Sequence, residues 1–167
     1  MARGTTGWWL RLPGAVIDLM FGVLQAVAQS LKVEVNPVNT SDAGEIERGI
    51  AALALAPNGG LVVTASTSAI IRRDLIIALA ARHKLPAVYS YRYFVTDGGP
   101  MSYGVDPLMP YRLASTYIDR ILKDEKPADL PVQAPTKYET AINLKTAKAL
   151  GLTIPETLLA TADEVIQ

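Results

Sequence analysis

Leu61-Val62-Val63-Thr64 is a short run in which polar and apolar residues do not alternate. A strand with one wet face alternates; one that does not must be covered on both faces, as in a parallel sheet. Parallel neighbours cannot be joined by a tight turn and need a crossover, usually a helix. The flanking sequence supplies such crossovers. Val33, Val35 and Val38 suggest an earlier strand, spaced by Glu34 and Asn36. Asp42 is placed to cap a helix, with Glu45 three residues on in a capping-box pattern. Ile46, Ile50, Leu53 and Ala54 share one face of that helix, and Pro57-Asn58-Gly59-Gly60 ends it.

After Leu61–Thr64 comes the polar loop Ala65–Ser68. A helix is expected from about Ala69 to Lys84, with Ile71, Leu75, Leu79 and Ala80 inward, and Pro86 closes it. Ala87-Val88-Tyr89 is the next short strand. The order strand, helix, strand, helix, strand predicts a doubly wound α/β parallel sheet with helices on both faces. Arg92–Val95 reads as a short helix, Gly98-Gly99-Pro100 as a turn and Met101–Tyr103 as a strand. Pro107 opens a long helix to about Lys123, with Leu108, Tyr111, Ala114, Ile118, Ile121 and Leu122 as its apolar face. The proline-rich stretch from Lys126 to Pro135 is an extended connector. Lys137–Ile142 alternates like a strand. Asn143 is placed to cap a helix over Leu144–Leu150, Gly151 ends it, and Pro155–Ala160 is a last short helix.

The N-terminus allows two readings. Trp8 to Ala28 is mostly apolar, Arg3 and Arg11 lie near its start, and Ala26-Val27-Ala28 has the small residues of a leader cleavage site. Arg11, Pro13 and Asp18 interrupt the run, so an amphipathic helix from about Asp18 to Leu31 is preferred over a leader or a membrane span.

Several functions are disfavoured by the residues present. Sixteen basic and sixteen acidic side chains cancel, leaving no basic footprint for nucleic acid. The chain has no cysteine, which excludes disulfides and thiol chemistry, and with one histidine a transition-metal site is not expected. That histidine, His83, falls near a helix end, where it complements the dipole and has no catalytic partner in view. Gly59-Gly60 and Gly98-Gly99 fit neither a Walker loop nor a dinucleotide fingerprint. No cofactor is expected.

In a doubly wound sheet, ligands bind beyond the carboxyl ends of the strands. Three such loops are rich in small polar and aromatic residues: Ala65–Ser68, Ser90–Phe94 and Ser102–Asp106. Hydroxyls, backbone N–H groups and rings suit a small polar solute. The competing structural reading has the hydroxyls capping helices and the rings packing the sheet edge.

Three strings carry a resemblance: Ala56-Pro57-Asn58-Gly59-Gly60-Leu61-Val62-Val63, RRDLIIALAARHKLPAVYSYRYFVTDGGPMSYGVD over Arg72–Asp106, and YIDRILKDEKPADLPVQAPTKYETAINLKTAKALGLTIPETLLATADEVI over Tyr117–Ile166. From about Ala26 onward the chain resembles the substrate-binding proteins of ABC transporters, in the group that includes tryptophan- and aromatic-amino-acid-binding members. The resemblance implies one lobe of a type I periplasmic-binding-protein-like fold, with a C-terminal crossing strand and helix. It implies no catalysis, a small-molecule solute such as an amino acid, an ABC permease as partner and a periplasmic location, a cytoplasmic one being the alternative. Carried over by position, Ser66, Thr67, Tyr93, Phe94, Tyr103 and Asp106 are the expected ligand residues. Asp106 would pair with a ligand ammonium, or else cap the helix after Pro107.

The chain departs from the family pattern in three respects. Family chains are about twice as long, so a truncated form lacking the first lobe is expected. Residues before about Asp18 do not follow the pattern. The loop at Thr64–Ser68 carries neither the acidic nor the amide residue common there. The expected organisation is residues 1–32 as a divergent N-terminal segment, 33–126 as the solute-binding lobe, and 127–167 as connector, crossing strand and terminal helices. The crossing strand would lack a partner and favour a homodimer. A self-associating structural domain without ligand binding is the alternative function.

Overall fold

The computed structural model describes residues 5–11 and 15–167, with side chains from 21 onward. Seven strands form one sheet in the order β2-β1-β3-β4-β5-β6-β7. They are β1 (Thr5–Arg11), β2 (Val33–Asn39), β3 (Gly60–Val63), β4 (Ala87–Tyr89), β5 (Met101–Gly104), β6 (Glu139–Asn143) and β7 (Glu164–Ile166). The first five are mutually parallel; β6 runs antiparallel to β5, and β7 parallel to β6. The helices are α1 (Ala15–Ser30), α2 (Ala43–Leu55), α3 (Thr67–Ile71), α4 (Arg73–Arg82), α5 (Arg92–Thr96), α6 (Met109–Leu122), α7 (Leu144–Ala149) and α8 (Glu156–Ala160). The alternation of strand and helix expected from Val33 to Tyr89, in a mostly parallel α/β sheet, is observed.

The local signals act as their chemistry requires. The Asp42 carboxylate accepts from the Glu45 backbone N–H at 3.0 Å and starts α2. Asn143 does the same for Thr146 at 3.0 Å and starts α7, and Gly151, at φ 75°, takes the left-handed conformation that ends it. Pro37 lies inside β2, which is tolerable because β2 is an edge strand. The core joins Ile46, Ile50 and Leu53 of α2 to Leu61 and Val63 of β3, and these to Ile76, Leu79 and Ala80 of α4 and Tyr89 of β4. Full burial of each such aliphatic side chain contributes about 1.5–3 kcal/mol.

The sequence expectations need three corrections. No strand was expected before Val33, yet β1 lies between β2 and β3, with Trp8 opposite Asn36 on one side and Leu61 on the other. An apolar run of that length does not by itself separate strand from helix. The single helix expected over Ala69–Lys84 is broken at Arg72 (φ −102°, ψ 20°) into α3 and α4. The break changes the phase, so Ile71 is exposed and Ile76 and Ile77 are buried in its stead. The apolar face read on α6 is left uncovered among the described residues: α6 contains no buried residue, and Tyr111, Ile118 and Leu122 are open to solvent. Periodicity shows that a helix has an apolar side and not what covers it. Finally, the crossing strand is not unpaired. β6 is hydrogen-bonded to β5 on one side and β7 on the other, so that strand supplies no free edge for a homodimer.

The carboxyl ends of β4 and β5 come unusually close. A Cβ on Gly104 would fall onto the backbone carbonyl of Ser90. Gly104→Ala therefore forces the two strand ends apart. It is expected to cost about 1–3 kcal/mol, as overpacking does, read as a lower urea midpoint with an unchanged slope. Stability equal to the parent would show that the strand ends are not in contact.

Candidate functional site

Because β6 is antiparallel to β5, its first residue, Glu139, sits beside Gly104 at the carboxyl end of β5. β7 starts at the same end, with Glu164 opposite Ala141. The Asp163 carboxylate accepts from the Thr140 N–H at 2.8 Å, and the Asp163 N–H donates to the Thr140 carbonyl at 2.9 Å, fastening this corner. The loops after β4 and β5 therefore meet a third group of residues drawn from the C-terminal segment.

Two adjoining clefts result. The first, of about 400 Å³, lies between α5 and the loop leading to α6; Arg92, Tyr93, Asp106, Leu108, Arg112 and Glu139 line it. The second, of about 430 Å³, is lined by Arg92, Lys137, Glu139, Thr140, Asp163 and Glu164. Arg92 and Glu139 form the wall between them.

The charges are arranged in pairs. Arg92 donates from Nε and Nη2 to the two carboxylate oxygens of Glu164, a bidentate bridge from α5 to β7. Those hydrogen bonds, with the Arg92 charge, hold the Glu164 carboxyl below the usual range although desolvation opposes them. Lys137 Nζ donates to Glu139 Oε1 at 3.0 Å, which raises the lysine above its ordinary value. Asp106 is used twice: Oδ1 accepts from the Leu108 N–H at 2.9 Å, and Oδ2 meets Arg112 Nη1 at 3.3 Å. Arg112 is the least constrained cation here, its side chain 72% exposed.

The structure separates the six residues expected from the sequence. Tyr93 and Asp106 meet in the first cleft. The Tyr93 ring is half-buried and stacks on Tyr91 at 5.3 Å, and its phenol is raised first by burial. Ser66 and Thr67 stand beyond the end of β3 and line neither cleft. The Ser66 hydroxyl is buried and accepts from the Ala69 N–H at 3.2 Å, starting α3, while Thr67 is exposed. Tyr103 also lines neither cleft; it is exposed and stacks on Tyr138 at 5.4 Å. Phe94 is fully buried and stacks on Tyr89 at 4.9 Å and on Tyr93 at 5.1 Å, so its ring packs in the core and lines neither cleft.

Arg92, Arg112, Glu139 and Glu164 were not singled out from the sequence. Arg92 lay inside a loop already chosen, where its aromatic neighbours drew the selection. Glu164 is 72 positions from Arg92, and no local pattern reports such a pairing. His83 is the C-cap of α4 and lines neither cleft. Among the described residues no group of His, Asp and Glu is placed to hold a metal.

This architecture is that of an α/β lobe, with two polar clefts beyond the carboxyl ends of its strands, where sheets of this kind hold ligands. The family model for the ABC transporter substrate binding protein matches residues 16–166, and the chain belongs to that family. Three solved structures share the fold. A conserved domain protein from Vibrio cholerae O1 biovar eltor has a TM-score of 0.84 at 21% identity, over 96% of this chain and 54% of its own. An ABC domain in complex with L-Trp from Streptococcus pneumonia has a TM-score of 0.82 at 24% identity, over 97% and 56%. The ligand-free, open form of a Clostridium difficile substrate binding protein with adhesive properties has a TM-score of 0.70 at 18% identity, over 98% and 55%. This chain thus spans about half the length of the solved structures it matches. A comparison with curated proteins gives no match.

Two outcomes test the site's architecture. Phe94→Ala is expected to lower stability by about 3–5 kcal/mol, as for a deleted core aromatic, measured by urea unfolding; a near-neutral result would return the ring to the surface. Glu164 is depressed in the folded state, so its bridge to Arg92 stabilises above the ordinary glutamate value of about 4.3. That contribution is lost as pH falls through the lower folded value. Arg92→Gln is expected to return the Glu164 carboxyl titration to its ordinary range, followed by NMR. It also removes this group's share of the acid-side loss of stability. An unchanged Glu164 titration would show that the bridge does not form.

Proposed function

We propose that this chain is a solute-binding lobe of an ABC transporter binding protein, taking a small zwitterion such as an amino acid beyond the carboxyl ends of β3, β4 and β5. The observation that carries the reading is the convergence of Arg92, Arg112, Asp106, Glu139 and Tyr93 on one cleft of about 400 Å³ in a chain of this family. Such a cleft offers guanidinium groups for a carboxylate, carboxylates for an ammonium and a ring face for an apolar side chain. The L-Trp bound by the streptococcal relative is a ligand of that chemistry. Ser66 and Thr67 would supply backbone N–H groups and a hydroxyl from the neighbouring strand end, and Tyr103 would border the site from β5.

In this reading the chain binds and does not catalyse. It hands solute to an ABC permease, outside the cytoplasmic membrane. Among the described residues no helix is long and apolar enough to cross a membrane. The site is polar, and its charges are already paired within the chain. A solute must displace part of those pairs, and one lobe covers only one of its faces, whereas effective pockets enclose most of a ligand. Binding by this chain alone is therefore weak, and a second lobe would complete the site.

The test is a titration of ¹⁵N-labelled chain with aromatic and branched amino acids to high concentration. The expected result is a small, saturable set of shifts centred on Arg92, Tyr93 and Asp106 and reaching Ser66–Ser68, lost in Asp106→Ala. Isothermal titration should register little heat at low concentration. Micromolar affinity for the lone chain would contradict the half-site, and shifts elsewhere or none at all would remove the cleft from consideration.

A further inference from the structure

The second cleft has no part in the solute reading above, yet it shares a wall with the cleft that does. Arg92 and Glu139 line both. Beyond that wall the second cleft is built from the amino ends of β6 and β7, and Ala141 is the one apolar residue in its described lining. Its volume of about 430 Å³ is close to that of the first, about 400 Å³. Whatever part of a solute enters it must be polar or charged.

The sign of that charge follows from the existing pairs. Arg92 gives Nε and Nη2 to Glu164, and Lys137 gives Nζ to Glu139. Two cations thereby answer two of the three carboxylates. The third, Asp163, has no cation paired with it among the described residues. Its Oδ2 accepts from the Thr140 N–H at 2.8 Å, and its Oδ1 is not engaged. An anion would have to part a guanidinium or an ammonium from its carboxylate, and would leave that carboxylate facing the others. A cation needs no such exchange, because a carboxylate oxygen is already open to it.

The carboxylates of the two clefts also lie near one another. Lys137 is raised first by its hydrogen bond to Glu139, and further by the charges of Asp163 in the second cleft and Asp106 in the first. One ammonium therefore feels both.

We infer that the solute is a dibasic amino acid, with its α-carboxylate and α-ammonium in the first cleft and its distal cation carried past the Arg92–Glu139 wall to Asp163. This names the solute class for the site proposed above and rests on that reading. A stem of three or four methylenes lies along Tyr93 and Leu108 while its charged end stays polar-solvated, as such stems do. An aromatic side chain gains nothing beyond the wall, where only Ala141 would meet it. Asp163 is exposed, so the added ion pair strengthens binding by about threefold.

The experiment is a titration of the ¹⁵N-labelled full chain with L-lysine and, separately, with L-norleucine, which has the same chain length and no distal charge. L-Norleucine is expected to shift Arg92, Tyr93 and Asp106 alone. L-Lysine is expected to shift these and also Thr140, Asp163 and Glu164, and to bind about threefold more tightly. Asp163→Asn keeps an oxygen for the Thr140 N–H and removes the charge. It should cancel the preference for L-lysine and leave the affinity for L-norleucine as in the parent. Equal affinities in the parent chain, with no shifts in the second group, overturn the inference without recourse to a variant. Shifts at Arg92, Tyr93 and Asp106 under both amino acids would then leave the solute reading standing. A preference that survives Asp163→Asn overturns the inference, and so does loss of L-norleucine binding in that variant. No shifts at Arg92, Tyr93 and Asp106 under either amino acid would remove the solute reading and this inference together.

Discussion

The antiparallel joint between β5 and β6 is the feature on which the site depends. A sixth parallel strand would have brought its carboxyl end, and the residues after it, to this corner. Reversal brings the amino ends of β6 and β7 there instead, and with them Lys137, Glu139, Asp163 and Glu164. The loops after β4 and β5 supply Arg92, Tyr93 and Asp106 on their own, but no opposing wall.

The same corner holds its charges in pairs. The two clefts hold three cationic and four acidic side chains, and the cations are each tied to a carboxylate. A half-exposed charge left alone would lose little, because water solvates it. Pairing does something different: it sets the direction of each guanidinium and ammonium. Arg92 is the most firmly held, through two bonds to Glu164, and Arg112 the least, through one longer contact. Arg92 is thus a fixed part of the wall between the clefts, and Arg112 is free to change partners.

Much of the fold was legible in the sequence because its signals are local. The Asp42 cap, Asn143, Gly151 and the stripe Ile46–Ile50–Leu53 act within one or two helical turns and behave as read. The site was legible only in part. Of the residues read from the loops after β4 and β5, Tyr93 and Asp106 line one cleft, while the neighbouring Phe94 turns into the core. One residue along a short helix rotates a side chain by about 100°, and a preference for aromatic residues cannot tell the two directions apart.

The sequence by itself determined the alternation of strand and helix from Val33 to Tyr89, the main caps and the placement of loops beyond the strand ends. Those choices are made by neighbours along the chain, through backbone hydrogen bonds and helical periodicity. Only the tertiary structure decided that β1 inserts between β2 and β3, that β6 reverses, and that Arg92 meets Glu164. It also decided that the apolar side of α6 faces outward. These are contacts between distant segments, and their energies depend on what each surface meets in space, which a one-dimensional pattern of apolar and charged residues does not record.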